Sequence, residues 1–328
     1  MVTVRADRVV STEPVTDDRA VSTVLDIALA LLLITASVLV IGLYLTDDED
    51  DLEVDRADHT AETISGSTVS VVYDVENVTN SSHYDEPEGI ESYERTTYGP
   101  AVGTIAEAAV VNAKFGGEQL VLYADSFGES VAAHVESRLV GANHQVYVTA
   151  TWQPYDEASI HGNTTVGSQP PVTDDISAVT MTADSGMPTV DDGALADAYA
   201  NEGADEAAEL IAESIVEGYF PTERSQLALE RQNLDRALKS THYLQMSEIV
   251  GADLDRDEAP LARSEARADD ANEELVDGLA GLIADDLESG QTGDYLDEIG
   301  DDENELEAYF DETVSPGTVE LTVYTWNP

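Results

Sequence analysis

The longest apolar stretch of the chain lies near its beginning. No residue from Ile27 to Leu45 is charged, and these 19 positions are mostly aliphatic. A helix of 19 residues is about 28 Å long, close to the roughly 30 Å hydrocarbon core of a bilayer. The pattern therefore predicts a transmembrane helix over residues 21–45. A cleaved secretory signal fits less well, because its apolar region would be shorter and a small-residue cleavage site would follow it.

Beyond residue 66 the pattern changes to alternating β-branched stretches and to apolar residues at helical spacing. The predicted strands are 67–75, 143–152, 176–183 and 317–326. The predicted helices are 100–115, 127–140, 192–218, 221–250, 263–288 and 302–310. The polar stretch 154–171 is predicted to be a loop. Because the last strand must pair with strands far earlier in the sequence, we expect an α+β domain. Its sheet should be small and mostly antiparallel, with about four strands packed by several long helices.

The charges that flank the apolar stretch predict its orientation. Arg5, Arg8 and Arg19 precede it, and the next basic residue is Arg56. Basic residues stay on the cytoplasmic side of a membrane, so the N-terminus is expected inside and most of the chain outside. The expected organisation is therefore a cytoplasmic leader, a transmembrane helix, an acidic stalk and an extracellular α+β domain, at residues 1–20, 21–45, 46–66 and 67–328. The expected localisation is the cell membrane, with membrane lipid as one partner.

Asp26 is the one charge embedded in the apolar pattern. One interpretation places its carboxylate at the inner headgroup level, where it reaches water. The other makes it a functional intramembrane acid, since such groups are costly in hydrocarbon. Only five residues of the span precede Asp26, which favours the first interpretation.

The composition indicates the solvent in which the chain works. The chain has 68 Asp and Glu residues against 14 Lys and Arg residues, which gives a net charge of −54. Such a charge repels itself, but at molar salt the Debye length falls to about 3 Å and the repulsion is largely screened. Because the acids are spread along the chain, we infer a halophilic source. With 42% hydrophobic residues in periodic segments, the chain is expected to fold rather than to be disordered.

The same composition excludes several functions. Without a basic patch to neutralise phosphates, nucleic acid is not an expected partner. The absence of cysteine excludes disulfides, thiol catalysis and cysteine metal sites.

Ser126 is a candidate nucleophile. It lies in Ala-Asp-Ser-Phe-Gly between a strand-like and a helical stretch, which imitates a nucleophile elbow. The elbow signature requires glycine where Ala124 stands. Ser126 followed by Glu129 is also the pattern of a helix capping box, and we favour that interpretation.

Aspartates at 253, 255 and 257 have the spacing of a calcium loop. Glu258 stands where that loop needs glycine, and Ser264 stands where it needs glutamate, so the pattern fails. No histidine pair has zinc-binding spacing, and no glycine-rich phosphate loop follows a strand. The sequence thus predicts no catalytic residue, no cofactor and no metal site, and the chain is not expected to be an enzyme.

Three sequons mark positions of possible N-glycosylation in an outward-facing domain. They begin at Asn77, Asn80 and Asn163.

Residues 18–25 resemble the N-terminus of archaeal type IV pilins. Those precursors carry Arg or Lys and then Gly or Ala just before a hydrophobic helix, as Arg19, Ala20 and Val21 do here. The resemblance implies cleavage between Ala20 and Val21. Thr23 departs from the pattern, because haloarchaeal members often have proline at that place.

The whole chain is also similar to a haloarchaeal family of single-pass membrane proteins whose activity is not characterised. The similarity rests on the start Arg-Ala-Val-Ser-Thr-Val-Leu-Asp, a middle Thr-Trp-X-Pro-Tyr, a Phe-Pro helix junction and a final Thr-Trp-X-Pro. In this chain these are residues 19–26, 151–155, 220–221 and 325–328. The resemblance implies a role beside pilus-assembly or secretion machinery.

Two hypotheses about function follow. The first is a membrane-anchored, pilin-like structural or accessory component of a type IV pilus or secretion-type apparatus, with other pilin-like or secretion-apparatus subunits as partners. The second is a static single-pass envelope protein whose outer domain binds a protein or small-molecule partner.

Overall fold

The fold is built around a six-stranded sheet, with a separate two-stranded ribbon beside it. The computed structural model describes residues 56–139, 144–172, 175–262 and 266–327. The strands are β1 (Thr68–Asp74), β2 (Glu94–Pro100), β3 (Lys114–Phe115), β4 (Glu118–Gln119), β5 (Gln145–Trp152), β6 (Ile160–Gly167), β7 (Ile176–Asp184) and β8 (Thr318–Trp326). The helices are α1 (residues 56–66), α2 (Ala101–Val111), α3 (Ala124–Leu139), α4 (Asp192–Glu202), α5 (Ala204–Tyr219), α6 (Thr222–Leu229), α7 (Leu234–Val250), α8 (Ala268–Leu287), α9 (Gly290–Ile299) and α10 (Glu303–Thr313).

Strand order in the main sheet is β4-β3-β6-β5-β8-β7, and every neighbouring pair is antiparallel. The ribbon pairs β1 with β2. The α+β class agrees with the sequence analysis, but the prediction of a small sheet of about four strands is wrong.

The strand β6 explains much of that error. Its sequence IHGNTTVG is polar and falls within the stretch 154–171 that the sequence analysis assigns to a loop. The inward positions nevertheless alternate regularly, because Ile160, Gly162, Thr164 and Val166 are all buried. At Gly162 a Cβ atom would lie only 2.1 Å from the carbonyl oxygen of Ala109 in α2. The close approach of α2 to β6 therefore requires glycine at position 162. A glycine adds nothing to the alternating hydrophobic pattern by which a strand is predicted from sequence.

The prediction of a single-pass membrane protein is corrected by the structure. Across residues 56–139, 144–172, 175–262 and 266–327, no helix is long and apolar enough to cross a bilayer. The segment for which the span is predicted, residues 21–45, and the predicted leader, residues 1–20, lie outside the described residues. Localisation in the cell membrane with an extracellular domain is accordingly not supported.

Two long predicted helices are each interrupted in the structure. The predicted helix 192–218 is divided at Gly203, whose φ of +91° favours glycine. The predicted helix 221–250 is divided before α7, where the Asn233 side chain caps the new helix by accepting a hydrogen bond from Asp235 N. Residues 56–66, at the end of the predicted acidic stalk, form α1 and bury Ala57, Ala61 and Ile64.

The buried face of the main sheet packs against an alanine-rich helix and a tryptophan. In α2 the side chains of Ala101, Ala106, Ala108 and Ala109 are all buried, which lets the helix approach the strands closely. Trp152, at the end of β5, is fully buried, and its indole Nε1 donates a hydrogen bond of 2.8 Å to the Pro316 carbonyl. The buried indole N–H therefore has a hydrogen-bond partner, and burying the ring leaves no unsatisfied donor.

Hydrogen bonds of one asparagine side chain connect helices of the helical layer. Asn272 in α8 donates from Nδ2 to the Phe220 carbonyl (2.9 Å) and accepts from the Tyr243 hydroxyl (2.6 Å). Asn272 is buried, and these bonds satisfy its amide while linking α8 to α7 and to the junction after α5.

Lys239 and His242 lie one turn apart in α7, next to Tyr219 and Phe220 at the end of α5. Lys239 Nζ donates to the Tyr219 carbonyl (3.3 Å) and lies 5.0 Å from the centroid of the Phe220 ring. Burial lowers the pKa of Lys239 to about 8. Burial, and then the Lys239 charge, lowers the pKa of His242 to about 3, so this imidazole is neutral at pH 7. Both shifts show that this part of the core disfavours positive charge.

We expect Lys239→Met to stabilise the protein at pH 7. The pKa of Lys239 in the folded state, about 8, lies below its ordinary value of 10.5, so the cost of burying the ammonium is fully present below about pH 8 and fades as pH rises toward 10.5. After allowing for the lost hydrogen bond and ring contact, the gain should be about 1–2 kcal/mol. Denaturant unfolding in molar salt at pH 7 and at pH 10 measures it, and the gain should shrink at pH 10.

Lys114→Met is the matched control, since Lys114 on β3 is the only other lysine in the sequence. An equal gain in both variants would show that the effect comes from net charge and not from the site around Lys239.

Glu157 caps α9 from a distant part of the chain. Its carboxylate accepts hydrogen bonds from the backbone nitrogens of Gln291 (3.1 Å) and Thr292 (3.3 Å), and from the Gln291 side chain (3.2 Å). The N-cap residue of α9, Ser289, provides no side-chain bond. Glu157 also has a φ of +58°, a conformation uncommon outside glycine. Because Glu157 lies 134 residues before Gln291, no local pattern identifies it as the cap, and the sequence analysis missed this helix.

Replacing Glu157 by alanine should cost about 1 kcal/mol in the free energy of unfolding, the usual magnitude of a lost N-terminal cap. Glu157→Gly should cost less than Glu157→Ala, because glycine relieves the positive φ while losing the same hydrogen bonds. Chemical denaturation of the two variants, with the exposed neighbour Asp156→Ala as control, tests both statements. Equal stability of the alanine variant and the Asp156→Ala control would contradict the capping role.

Candidate functional site

The main sheet has one buried face and one open face. Most inward side chains of β5, β6 and β8 are buried, whereas the alternate side chains of the same strands are exposed or half-buried, apart from Trp326 at the end of β8, which is buried. On β7 no residue is fully buried. The described helices that contact the sheet do so from the side of the buried residues, and the opposite face is accessible.

Register places the open-face side chains in rows across four strands. The central row consists of four threonines, Thr165, Thr149, Thr322 and Thr180, each directly opposite the next. The hydroxyls of Thr180 and Thr322 are 3.2 Å apart, within hydrogen-bond distance. Cross-strand threonine pairs stabilise a sheet and present a flat, uncharged surface.

The rows on either side of the threonines are also poor in charge. One row is Gly167, Tyr147, Tyr324 and Ala178, and the two tyrosine rings lie 6.0 Å apart. The other row is Asn163, Thr151, Glu320 and Thr182. Glu320 is the only carboxylate in these three rows, although one residue in four of the whole chain is charged. The open face is therefore a low-charge surface on a strongly acidic protein.

The outer edge of β7 is an exposed sheet edge. The strand has nine residues, ISAVTMTAD, of which only the last, Asp184, is charged. Its one strand partner in the described part of the chain is β8, so the backbone N–H and C=O groups on its other side have no strand to pair with. Ile176, at the start of this edge, is 41% exposed. Proteins usually protect such edges with lysine, proline, bulges or short strands, and β7 has neither lysine nor proline.

The opposite edge of the same sheet is protected. It is formed by β3 and β4, which have two residues each and offer little backbone for pairing. Short edge strands of this kind are a common protection against association. The contrast makes the β7 edge the candidate interaction site of the sheet.

The predicted glycosylation sites have different surroundings. Asn77 and Asn80 are exposed in a 3₁₀ helix, Glu76–Asn80, after β1. Asn163 is exposed on the open face, and its carbonyl accepts a hydrogen bond of 2.6 Å from the Asn112 side chain. All three side chains are accessible, and glycosylation of them stays a prediction.

The predicted cleavage residues Arg19, Ala20 and Val21, and the acid Asp26, lie outside the described residues.

Ser126 lies in the first turn of α3, which begins at Ala124. Its hydroxyl oxygen accepts a hydrogen bond from Asp74 N at 3.3 Å and so ties the helix to the end of β1. The capping-box prediction for Ser126 and Glu129 is therefore wrong, because Ser126 is inside the helix and bonds another segment. The Ser126 hydroxyl therefore connects α3 to β1.

Among the alternating aspartates, Asp255 stabilises a turn. Asp255 accepts a hydrogen bond of 2.7 Å from Asp257 N, which is the usual use of Asp in a turn. Among the residues that the structure describes, no three His, Asp or Glu side chains converge in a metal-binding arrangement.

A family model described as a family of unknown function (DUF7284) matches residues 25–326. No curated protein matches the chain, and no solved structure matches it.

Proposed function

Since the chain belongs to DUF7284, a family of unknown function, we propose its function from the geometry of the sheet. The chain is a non-enzymatic, pilin-like structural or accessory subunit of a type IV pilus or secretion-type apparatus, and it associates with a second copy through β7. One observation supports this proposal most: in the part of the chain that the structure describes, a nine-residue, almost uncharged strand forms a sheet edge that pairs with β8 alone.

The sequence of β7 is complementary to itself about Thr180, its central residue. In an antiparallel pair of two copies centred there, Val179 lies opposite Met181 and Ala178 lies opposite Thr182. The same axis places Thr180 opposite its copy and so continues the row of threonines into the second sheet. A self-complementary patch of this kind is what a two-fold symmetric interface requires.

Charge also favours this edge as the contact. Two copies with a net charge of −54 each repel one another, so they can approach only where carboxylates are few. The β7 edge and the rows beside it are such a surface. Molar salt screens the remaining repulsion beyond about 3 Å, and association should therefore strengthen as salt is added.

The pilus part of the proposal is supported by the resemblance of residues 18–25 to archaeal pilin N-termini. It is independent of the contact through β7.

Thr180→Glu should abolish association of the full-length protein. In the paired edge the two introduced carboxylates would face each other across the axis, where like charges are destabilising. We expect the wild-type protein to be dimeric in molar KCl and the variant to be monomeric, as measured by sedimentation equilibrium over a hundredfold range of concentration. Lower salt should shift the wild-type protein toward monomer.

Thr322→Glu is the matched control, because it adds the same charge to the same row one strand away from the edge. It should remain dimeric. If both variants dissociate, the open face and not the edge is the contact, and a wild-type protein that is monomeric at every concentration overturns the proposed association.

Processing of the N-terminus tests the pilin-like part separately. Peptide mass spectrometry of the protein from its native source should find a mature chain that begins at Val21. A chain that still contains Met1 to Arg19 would contradict a pilin-like role, whatever the outcome for β7.

A further inference from the structure

A cavity of about 670 Å³ lies between α9, α10 and the loop that follows β5. From α9 it is lined by Gln291, Thr292 and Tyr295, from α10 by Glu305, Ala308, Tyr309, Glu312 and Thr313, and from the loop by Asp156 and Glu157. The residues of α10 are mostly three or four positions apart and so lie on one face of that helix. Three segments therefore meet around this cavity, and none of its residues lies in a strand of the main sheet.

Two tyrosine rings line the cavity next to each other. The ring centroids of Tyr295 and Tyr309 are 5.2 Å apart, and the ring planes are inclined by 37°. Tyr295 is 52% exposed, and Tyr309 is half-buried. The faces of aromatic rings carry negative potential and attract cations whose centres lie within about 6 Å of a centroid. Because the two centroids are close, one cation can be within that distance of both rings.

Hydrogen bonds hold the loop against both helices. The Glu157 carboxylate accepts from the backbone nitrogen of Gln291 (3.1 Å), one turn before Tyr295. The backbone nitrogen of Asp156 donates to the Thr313 carbonyl (3.0 Å) at the end of α10. These bonds use neither ring of the cavity, so the rings remain accessible in a site that is already formed.

The other carboxylates of the cavity make its surroundings negative. Asp156, Glu305 and Glu312 are exposed and line the cavity with the rings. Residues 268–328 contain no Lys, Arg or His. In the part of the chain that the structure describes, none of the three carboxylates forms an ion pair. A ligand of this cavity must therefore bring positive charge.

The cavity suits an organic cation better than a metal ion. Among the described residues, no three carboxylates or histidines lie close enough together to hold a metal. A volume of about 670 Å³ is that of a small-molecule site. Aromatic rings also add nothing to the oxygen ligands that hard metal cations require, whereas they bind quaternary ammonium and guanidinium groups.

We propose that this cavity binds an organic cation, a quaternary ammonium or guanidinium group, against the rings of Tyr295 and Tyr309. Asp156, Glu305 and Glu312 supply the negative charge around it. This binding is independent of the association through β7, because it involves no strand of the sheet.

Titration of the full-length protein with tetramethylammonium chloride, which replaces KCl at constant ionic strength, tests the proposal. A second titration uses acetyl-argininamide, and a third uses tert-butanol, which has the shape of tetramethylammonium without its charge. The readouts are the chemical shifts of isotope-labelled tyrosine rings and the thermal unfolding midpoint. We expect at least one cation to bind saturably, with a dissociation constant of about a millimolar, and to raise the midpoint, whereas tert-butanol should not bind.

The two cations distinguish the sources of the ligand. A response to tetramethylammonium alone identifies a quaternary ammonium compound, and a response to acetyl-argininamide alone identifies the basic side chain of a partner.

Tyr295→Leu should weaken the binding by about fivefold or more, because leucine keeps an apolar side chain and loses the ring face. Tyr295→Phe is its matched control and should bind as the wild-type protein does, since the ring face remains. Glu305→Gln should weaken binding by about twofold or more. Its control is Glu303→Gln, an exposed residue of the same helix that does not line the cavity.

Any of four results would overturn the proposal. Neither cation binds saturably, or tert-butanol binds as well as tetramethylammonium does. Tyr295→Leu binds as tightly as the wild-type protein. Lastly, Glu303→Gln weakens binding as much as Glu305→Gln does, which would mean that cations respond to the overall charge of the surface and not to this cavity.

Discussion

The carbonyl oxygen of Pro316 connects the two halves of the sheet. It accepts one hydrogen bond from the Trp152 indole at the end of β5 (2.8 Å) and another from the Ser185 hydroxyl after β7 (2.7 Å). Directly after this point β8 enters between those two strands. In the described chain β8 is the only strand that pairs with β7, so the sheet, its open face and its free edge all depend on this buried junction.

The acidic helices and loops and the low-charge face of the sheet meet two different requirements. Carboxylates spread over the helices and loops suit concentrated salt, where their repulsion is screened. The open face and the β7 edge have almost none of them, which leaves backbone and threonine hydroxyls to make contacts. Positive charge is scarce enough that its positions are informative: Lys239 lies against an aromatic ring, and Arg236 and Arg256 line one cavity.

Sequence patterns predicted the strands and helices whose signals lie within their own residues. The strands β5, β7 and β8 alternate, and α2, α3 and α8 have apolar residues at helical spacing, so their approximate positions were predictable. The polar strand β6 was missed because Gly162 and Thr164 fill its inward positions under a close helix. The helix α9 was missed because its cap, Glu157, is distant in sequence. The edge position of β7 could not be predicted, since it depends on which segments meet in space.

The position of β8 also has a consequence for biosynthesis. A ribosome makes β5 and β7 first and then adds all of α4 to α10 before it makes Thr318–Trp326. Until then both strands lack their shared partner, and β7 is unpaired on both sides. Contacts of such long sequence separation close slowly. A nascent chain therefore exposes a strand whose one charged residue is Asp184, with both of its edges unpaired, for most of the translation of its C-terminal half.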